Sequence, residues 1–216
     1  MAMARLAILI DPDKPALPLA QRVEKLRSLG LTPDLVFLGG STGALTSTAI
    51  FDEAAALHLP VWLFPGNVTQ LSPRADALLL PIVISGRNAE MLIGRHVAAA
   101  QQIQALHIPV YPMGYILVDG GTTSSVQQVS QTRPIPREDI ETIVNTALAG
   151  EQLGQQYTYL EAGSGAKIPI PSELIAAVRK TVHTQLIVGG GIRTKTLVEQ
   201  ARQAGADIVV IGNALE

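Results

Sequence analysis

Short apolar segments rich in β-branched residues alternate along this chain with segments of helical periodicity. The apolar segments are continuous, which is typical of parallel strands covered on both faces. They lie at Leu6–Ile10, Leu35–Leu38, Val61–Phe64, Ala77–Pro81, Val110–Leu117, Tyr157–Glu161, Leu186–Val188 and Ile208–Ile211. The helical segments lie at Leu17–Leu29, Ser47–Leu57, Ala89–Leu106, Arg137–Leu153, Pro171–Thr181 and Thr194–Ala204. This alternation over 216 residues predicts an α/β fold, a single (β/α)8 TIM-barrel domain spanning residues 1–216.

The predicted barrel departs from a regular one between its third and fourth strands. Only Pro65–Asp76 is available there, and it contains two prolines and a glycine, so a full helix is not expected. The third helix should therefore be replaced by a loop that leaves a gap in the helical ring. The apolar segment Leu78–Ile84 would border this gap and form an apolar groove that opens from the barrel mouth. The Gly/Thr/Ser/Gln-rich stretch Asp119–Pro136 predicts a mobile loop on the same face.

Composition excludes several classes of function. The formal net charge is -2, which gives no reason to expect nucleic-acid binding. The chain has no cysteine, which excludes disulfides and thiolate chemistry and fits a cytoplasmic location. No apolar run approaches the length of a membrane span, although peripheral membrane contact suits an enzyme with a lipid-like substrate. The chain stops at Glu216, where a last helix should begin. Either the sequence is truncated there, or a partner chain closes the ring in a homo-oligomer.

Glycine-rich segments follow the last three predicted strands. They are Tyr159–Ala166, Gly189–Arg193 and Ile211–Ala214. Backbone N–H groups in such loops can approach a phosphate closely because no Cβ blocks the way. In TIM barrels the loops after strands 7 and 8 commonly hold a phosphate. Glu161 could hydrogen-bond substrate hydroxyls or accept a proton, or it could form a structural salt bridge. Arg193 could bind phosphate or simply be solvated.

The first two predicted strands end in residues that suit a metal–phosphate site. Asp11 would point into the barrel mouth, and Mg²⁺ in proteins uses one or two carboxylates together with substrate phosphate oxygens. Alternatively, Asp11 begins a turn. Gly39–Thr42 could offer N–H and hydroxyl donors to a second phosphate group, or could cap the next helix. The histidines all fall on helices or helix ends, so a histidine-based site is not expected.

These strand-end segments resemble the geranylgeranylglyceryl phosphate synthase family, which includes related bacterial heptaprenylglyceryl phosphate synthases. The matching segments are Ile10–Lys14, Phe37–Ser41, Pro81–Asn88, Tyr159–Ala166, Gly189–Arg193 and Val210–Ala214, and they span nearly the whole chain. The Tyr-Leu-Glu-Ala-Gly-Ser-Gly sequence is specific to the family, whereas a triple glycine occurs in many phosphate-binding barrels. The resemblance implies a modified (β/α)8 barrel in which the third helix is replaced by a loop.

The resemblance also implies an activity and its residues. Family members join a prenyl diphosphate to the 3-hydroxyl of sn-glycerol 1-phosphate and release diphosphate, with Mg²⁺. Asp11 and Ser41 would bind the metal, and Asp11 and Glu161 would be the catalytic residues. Glycerol 1-phosphate would be held by Tyr159, Leu160, Glu161, Ala162, Gly163, Ser164, Gly165, Gly190, Gly191, Gly212 and Asn213. The heptaprenyl branch carries a lysine where this chain has Leu9, which favours a geranylgeranyl substrate.

The sequence is also compatible with two other functions. Another phosphate-binding barrel enzyme, such as a sugar-phosphate isomerase, would need an acid–base pair at two strand ends and no long apolar groove. A non-catalytic binder of phosphorylated lipid precursors would bind glycerol phosphate without releasing diphosphate.

Overall fold

A closed barrel of parallel strands, neighbouring one another in sequence order, forms the centre of the molecule. The computed structural model describes residues 4–12, 17–40, 43–45 and 47–212. The strands are β1 (Arg5–Ile10), β2 (Leu35–Leu38), β3 (Val61–Leu63), β4 (Ala77–Val83), β5 (Val110–Leu117), β6 (Tyr157–Glu161), β7 (Gln185–Gly189) and β8 (Ile208–Ile211). The ring closes where Arg5 pairs with Ile208 and Ile8 pairs with Ile211. The predicted (β/α)8 fold is confirmed.

Helices surround the barrel on most of its circumference. They are α1 (Leu19–Ser28), α2 (Ala49–Ala56), α3 (Arg95–Gln104), α4 (Ser125–Ser130), α5 (Ile140–Gln152), α6 (Ser172–Thr181) and α7 (Lys195–Gln203). A π-helical turn, Glu90–Gly94, runs directly into α3. Side-chain caps fix several helix starts: Asp139 accepts from the Thr142 N–H, and Thr194 accepts from the Leu197 N–H. None of the described helices has both the length and the apolar character needed to cross a membrane.

The barrel strands alternate between two apolar layers, since successive side chains of a strand point to opposite faces. One layer fills the barrel interior and includes Ala7, Phe37, Met113, Tyr159 and Ile187. The other packs against the helices and includes Leu6, Val36, Ile116, Leu160 and Val188. This parity continues past the strand ends. Asp11 and Glu161 therefore emerge on the inner side, at the mouth of the barrel.

The connection between β3 and β4 contains no α-helix. A single 3-10 turn, Val68–Gln70, stands in its place, and Asn67 caps this turn by accepting from the Thr69 N–H. The predicted replacement of the third helix by a loop is confirmed. The helical ring is therefore open between α2 and α3.

The segment between β5 and α5 differs from its prediction as a loop. Residues 125–130 form α4, and Ser124 caps it by accepting from the Gln127 N–H. Ser130 and Thr132 are buried, and Val118 pairs with Ile135 in an isolated bridge. The expectation of a loop throughout this stretch is wrong, because a serine cap and burial of the following turn outweigh its polar composition.

Candidate active site

A single cavity joins the barrel mouth to the gap in the helical ring. Its polar end is lined by Asp11, Gly40, Glu161, Gly163, Ser164, Gly165, Gly190, Gly191, Arg193 and Gly212. Its apolar end is lined by Val68, Leu71, Leu80, Met91, Ala99 and Ile103. The apolar groove that the sequence predicts beside the missing helix is therefore present.

Glu161 lies at the inner end of β6 and is 6% exposed. Its Oε1 atom accepts a hydrogen bond of 2.7 Å from the Gly163 N–H, which fixes the carboxylate against its own loop. Burial raises the pKa of Glu161 above its ordinary value, and interactions with Tyr159 and the Gly163 N–H oppose part of that rise. A carboxyl group with a raised pKa at the mouth of a cavity can act as a proton acceptor near neutral pH.

An aromatic cluster of Phe64, Tyr115 and Tyr159 lies at the cavity wall beside Glu161. The ring centroids of Phe64 and Tyr159 are 5.6 Å apart, and those of Tyr115 and Tyr159 are 5.2 Å apart. The Tyr159 hydroxyl is buried and has no hydrogen-bond partner of standard geometry among the described residues. Burial, and then the nearby Glu161 carboxylate, raises the pKa of both tyrosines well above the usual value, so their hydroxyls stay neutral.

Phe64 and Tyr115 are functional candidates that the sequence motifs do not reveal. The signal that would have found them is strand parity. Tyr115 pairs in register with Tyr159, and Phe64 follows β3 with the same inward parity as Trp62.

Glycines with left-handed backbone conformations form the polar end of the cavity. The φ angles are 101° at Gly163, 76° at Gly165, 85° at Gly190 and 74° at Gly191. A Cβ atom on Gly190 would lie 2.6 Å from Glu161 Oε1. The N–H groups of Gly165, Gly190 and Gly191 donate no hydrogen bond to another described residue. This end of the cavity therefore presents backbone donors suited to an anion.

The predicted site residues divide into three groups. The cavity brings together Asp11, Tyr159, Glu161, Gly163, Ser164, Gly165, Gly190, Gly191 and Gly212. By contrast, Leu160 and Ala162 are buried in the outer apolar layer, and the Ala162 N–H donates to the Gly189 carbonyl. Their side chains face away from the cavity. Ser41 and Asn213 lie outside the described residues.

Asp11 and Arg193 take different positions at the mouth. A Cβ atom on Gly40 would overlap the Asp11 carboxylate, so the loop after β2 packs directly against this aspartate. Arg193 lines the cavity and donates to the Ala166 carbonyl at 3.2 Å, which ties it to the loop after β6.

One side of the groove is formed by the helical segment that begins at the π-helical turn. Met91, Ala99 and Ile103 line it, and at 1.5 Å per residue Met91 and Ile103 are separated by about 18 Å. Arg95 donates to the Gly66 carbonyl at 2.8 Å and so joins this helix to the segment after β3. His96 also lines the groove, where its Nε2 atom lies 3.0 Å from the Pro81 carbonyl oxygen. Among the described residues, histidines and acidic side chains form no cluster of three.

Comparison with known proteins identifies the family. The chain matches the PcrB family over residues 2–216. A geranylgeranylglyceryl phosphate synthase of Zunongwangia profunda is 46% identical over 98% of this chain and 90% of that protein. One from Korarchaeum cryptofilum is 38% identical over 98% of this chain and 87% of that protein.

A solved structure has the same architecture. The (S)-3-O-geranylgeranylglyceryl phosphate synthase of Thermoplasma acidophilum, in complex with sn-glycerol-1-phosphate, superposes with a TM-score of 0.84 at 33% identity. The alignment covers 99% of this chain and 87% of that one. These matches extend over nearly the whole chain and confirm the predicted family. The chain belongs to the PcrB family, together with these geranylgeranylglyceryl phosphate synthases.

Proposed function

We propose that the chain is a prenyltransferase that joins sn-glycerol 1-phosphate to a prenyl diphosphate through an ether bond and releases diphosphate. One observation carries this proposal: a single cavity joins a polar end, lined largely by glycine main chain, to an apolar groove along α3. A small phosphorylated alcohol suits the first end, and a long hydrocarbon chain suits the second. A sugar-phosphate isomerase would have no use for the groove.

The glycerol phosphate is assigned to the polar end. The N–H groups of Gly165, Gly190 and Gly191, which donate to no other described residue, would bind its phosphate in the way that glycine-rich loops of other barrels do. Glu161 is close enough to Gly190 to reach the hydroxyl groups of a ligand whose phosphate occupies this loop. The complex of the Thermoplasma acidophilum relative with sn-glycerol-1-phosphate supports the choice of this ligand.

The prenyl diphosphate is assigned to the groove and to the mouth beside β1. The apolar tail gains free energy by burial along α3, at roughly 25 cal/mol per Å² of apolar surface. The four-isoprene geranylgeranyl chain is proposed as the tail, because the matched relatives carry that name and Leu9 replaces the lysine of the heptaprenyl branch.

The residues present also fit a magnesium ion. Asp11 supplies one carboxylate at the cavity wall, and the described residues hold no multi-carboxylate cluster that would bind a metal without substrate. Such a donor set matches Mg²⁺, which takes one or two carboxylates and completes its shell with phosphate oxygens. Asp11, with Ser41 as the predicted second ligand, would hold the ion, which neutralises charge on the diphosphate when bound.

The remaining chemistry is assigned to the chain's own groups. The bond between the allylic carbon and the diphosphate oxygen breaks, and its electron pair leaves with the diphosphate. The 3-hydroxyl oxygen of glycerol phosphate bonds to that carbon, and its proton passes to Glu161. The Phe64 ring, which packs against Tyr115 and Tyr159, stabilises the developing allylic cation, because aromatic rings attract positive charge. Holding both reactants in one cavity removes much of the entropic cost of their encounter.

A product assay tests this proposal. The protein is incubated with radiolabelled sn-glycerol 1-phosphate, Mg²⁺ and prenyl diphosphates of several lengths, and the label is extracted into organic solvent. The proposal predicts organic-soluble label only when both substrates are present, and most of it with the geranylgeranyl compound. The enantiomer sn-glycerol 3-phosphate is the control. If glycerol phosphate binds but no label enters the organic phase, the chain is a binder and the proposal is wrong.

A further inference from the structure

Gln70 is a buried polar side chain at the centre of the segment that replaces the missing helix. It ends the 3-10 turn Val68–Gln70 and is 2% exposed. Its amide nevertheless has partners on both of its atoms. Oε1 accepts from the Gly66 N–H at 2.8 Å and from the Gly40 N–H at 3.3 Å, and Nε2 donates to the Gly43 carbonyl at 2.9 Å.

These bonds join two segments that are distant in sequence. Gly40 and Gly43 lie in the first half of the loop after β2, on either side of the predicted metal ligand Ser41 in the sequence. Gly66 lies in the segment after β3, and its N–H also donates to the Gly40 carbonyl at 3.1 Å. Gly40 and Gly43 are thus held by a buried glutamine whose neighbours Val68 and Leu71 line the groove.

Gly39 and Gly40 are closely packed on their other side. A Cβ on Gly40 would overlap the Asp11 carboxylate, and a Cβ on Gly39 would overlap the Phe64 carbonyl. A shift of Gly40 would therefore change the space available to Asp11, whose carboxylate is assigned to the diphosphate end of the site.

We propose that Gln70 is a positioning residue for the prenyl diphosphate: it fixes the loop after β2 against Asp11 and connects that loop to the groove wall. This inference rests on the proposed function. It also separates the two substrates, because Gln70 bonds to no residue of the loops after β6, β7 or β8 among the described contacts. Loss of the Gln70 amide should affect the prenyl diphosphate and leave the glycerol phosphate end intact.

Kinetics of Gln70→Met test this separation. Methionine keeps the length of the side chain but leaves the Gly40 N–H without its acceptor, while the Gly66 N–H keeps only the Gly40 carbonyl. We expect kcat/KM for the prenyl diphosphate to fall about 10- to 100-fold, the range expected when a buried polar group loses its partner. The KM for glycerol phosphate should stay within roughly twofold, and the Mg²⁺ concentration for half-maximal rate should rise. Thr69→Val is the matched control, since it removes the bonds that Thr69 Oγ1 donates to the same Gly43 carbonyl and to Asn67 Oδ1 but none to Gly40. It should behave like the wild type.

Hydrogen exchange gives a second measurement, which does not depend on turnover. The Gly40 amide should be protected in the absence of substrate, and Gln70→Met should expose it. The Gly66 amide, which keeps the Gly40 carbonyl as an acceptor, and the β6 and β7 amides should stay protected. The proposal would be overturned by an unprotected Gly40 amide in the wild type. It would also be overturned if Gln70→Met lowered kcat/KM equally for the two substrates. If the wild type transfers no prenyl group, the proposed function is wrong, and the exchange data still decide whether Gln70 holds this loop.

Discussion

The two ends of the cavity are built by different means. The polar end consists largely of main chain, with left-handed glycines at positions 163, 165, 190 and 191 and with N–H groups at Gly165, Gly190 and Gly191 that donate to no other described residue. The groove consists of side chains such as Leu71, Met91 and Ile103, supported by a helix on one side. A surface made of main chain has one shape, whereas a surface made of apolar side chains can repack. We therefore expect the first end to tolerate few substitutions and the groove to tolerate many.

Glu161→Gln gives the largest expected effect at the main-chain end. The amide oxygen can still accept from the Gly163 N–H, but the side chain loses its charge and basicity. Turnover should fall roughly 10²- to 10⁴-fold if Glu161 takes the proton, with a smaller change in glycerol phosphate affinity. Steady-state kinetics and calorimetry measure the two quantities. Equal losses of turnover and of glycerol phosphate affinity would show that Glu161 binds the substrate and does not accept the proton.

The pH dependence of Glu161 provides a separate check. Burial raises its pKa, so the ionised form that accepts a proton appears only above the ordinary value of 4.5. The acid limb of the kcat/KM profile should lie above that pH and disappear in Glu161→Gln. Because the folded-state pKa is raised, ionisation costs stability as pH increases through it. The melting temperature of the variant relative to the wild type should therefore rise with pH, and a falling difference would contradict this assignment.

Gly190→Ala tests how rigid the main-chain end is. Alanine at a φ of 85° is strained, and its Cβ would lie 2.6 Å from Glu161 Oε1. We expect glycerol phosphate affinity to fall about 10- to 100-fold and the melting temperature to drop, since such strain costs roughly 1–3 kcal/mol. Gly212→Ala is the control, because its Cβ would meet only Leu9 at 3.6 Å. Gly212→Ala should melt like the wild type, and a tolerated Gly190→Ala would show that this end can adjust.

Phe64→Leu addresses the junction between the two ends. Leucine keeps the apolar volume but removes the aromatic face near Tyr115 and Tyr159. A cation–π contact is worth about 0.5–2 kcal/mol, so kcat should fall roughly 2- to 30-fold with an unchanged KM for glycerol phosphate. Phe64→Tyr, which keeps the ring, should restore most of the rate. A normal kcat for Phe64→Leu would show that Phe64 does not contribute to the chemical step.

Leu71→Met gives the smallest expected effect. A volume-conserving change in an apolar wall usually costs little, so prenyl diphosphate KM should change by less than about threefold. Leu71→Ser, which places a hydroxyl group at the same position, should raise that KM further and leave glycerol phosphate binding unchanged. If Leu71→Met impairs the enzyme as strongly as Gly190→Ala does, the contrast between the two ends is wrong.

The sequence allowed most of the fold to be predicted, because strand position and inward parity depend on local patterns. The end of β2, the start of β6 and the missing helix after Pro65 were all predictable in this way. The helix α4 was missed because its polar composition conceals the Ser124 cap. The role of Gln70 could not be predicted at all. Its partners Gly40 and Gly43 lie about thirty residues away, and only the closed barrel brings them within hydrogen-bonding distance.

The gap in the helical ring gives the cavity a side entrance. A tail that lies along α3 occupies the flank of the barrel, while the loops after β6 and β7 face the top. Neither substrate then has to pass through the space of the other, so we expect binding in random order, with each substrate able to bind the free enzyme. The product can leave in the same sideways direction, with its tail already pointing out of the barrel and its phosphate the last group to be released.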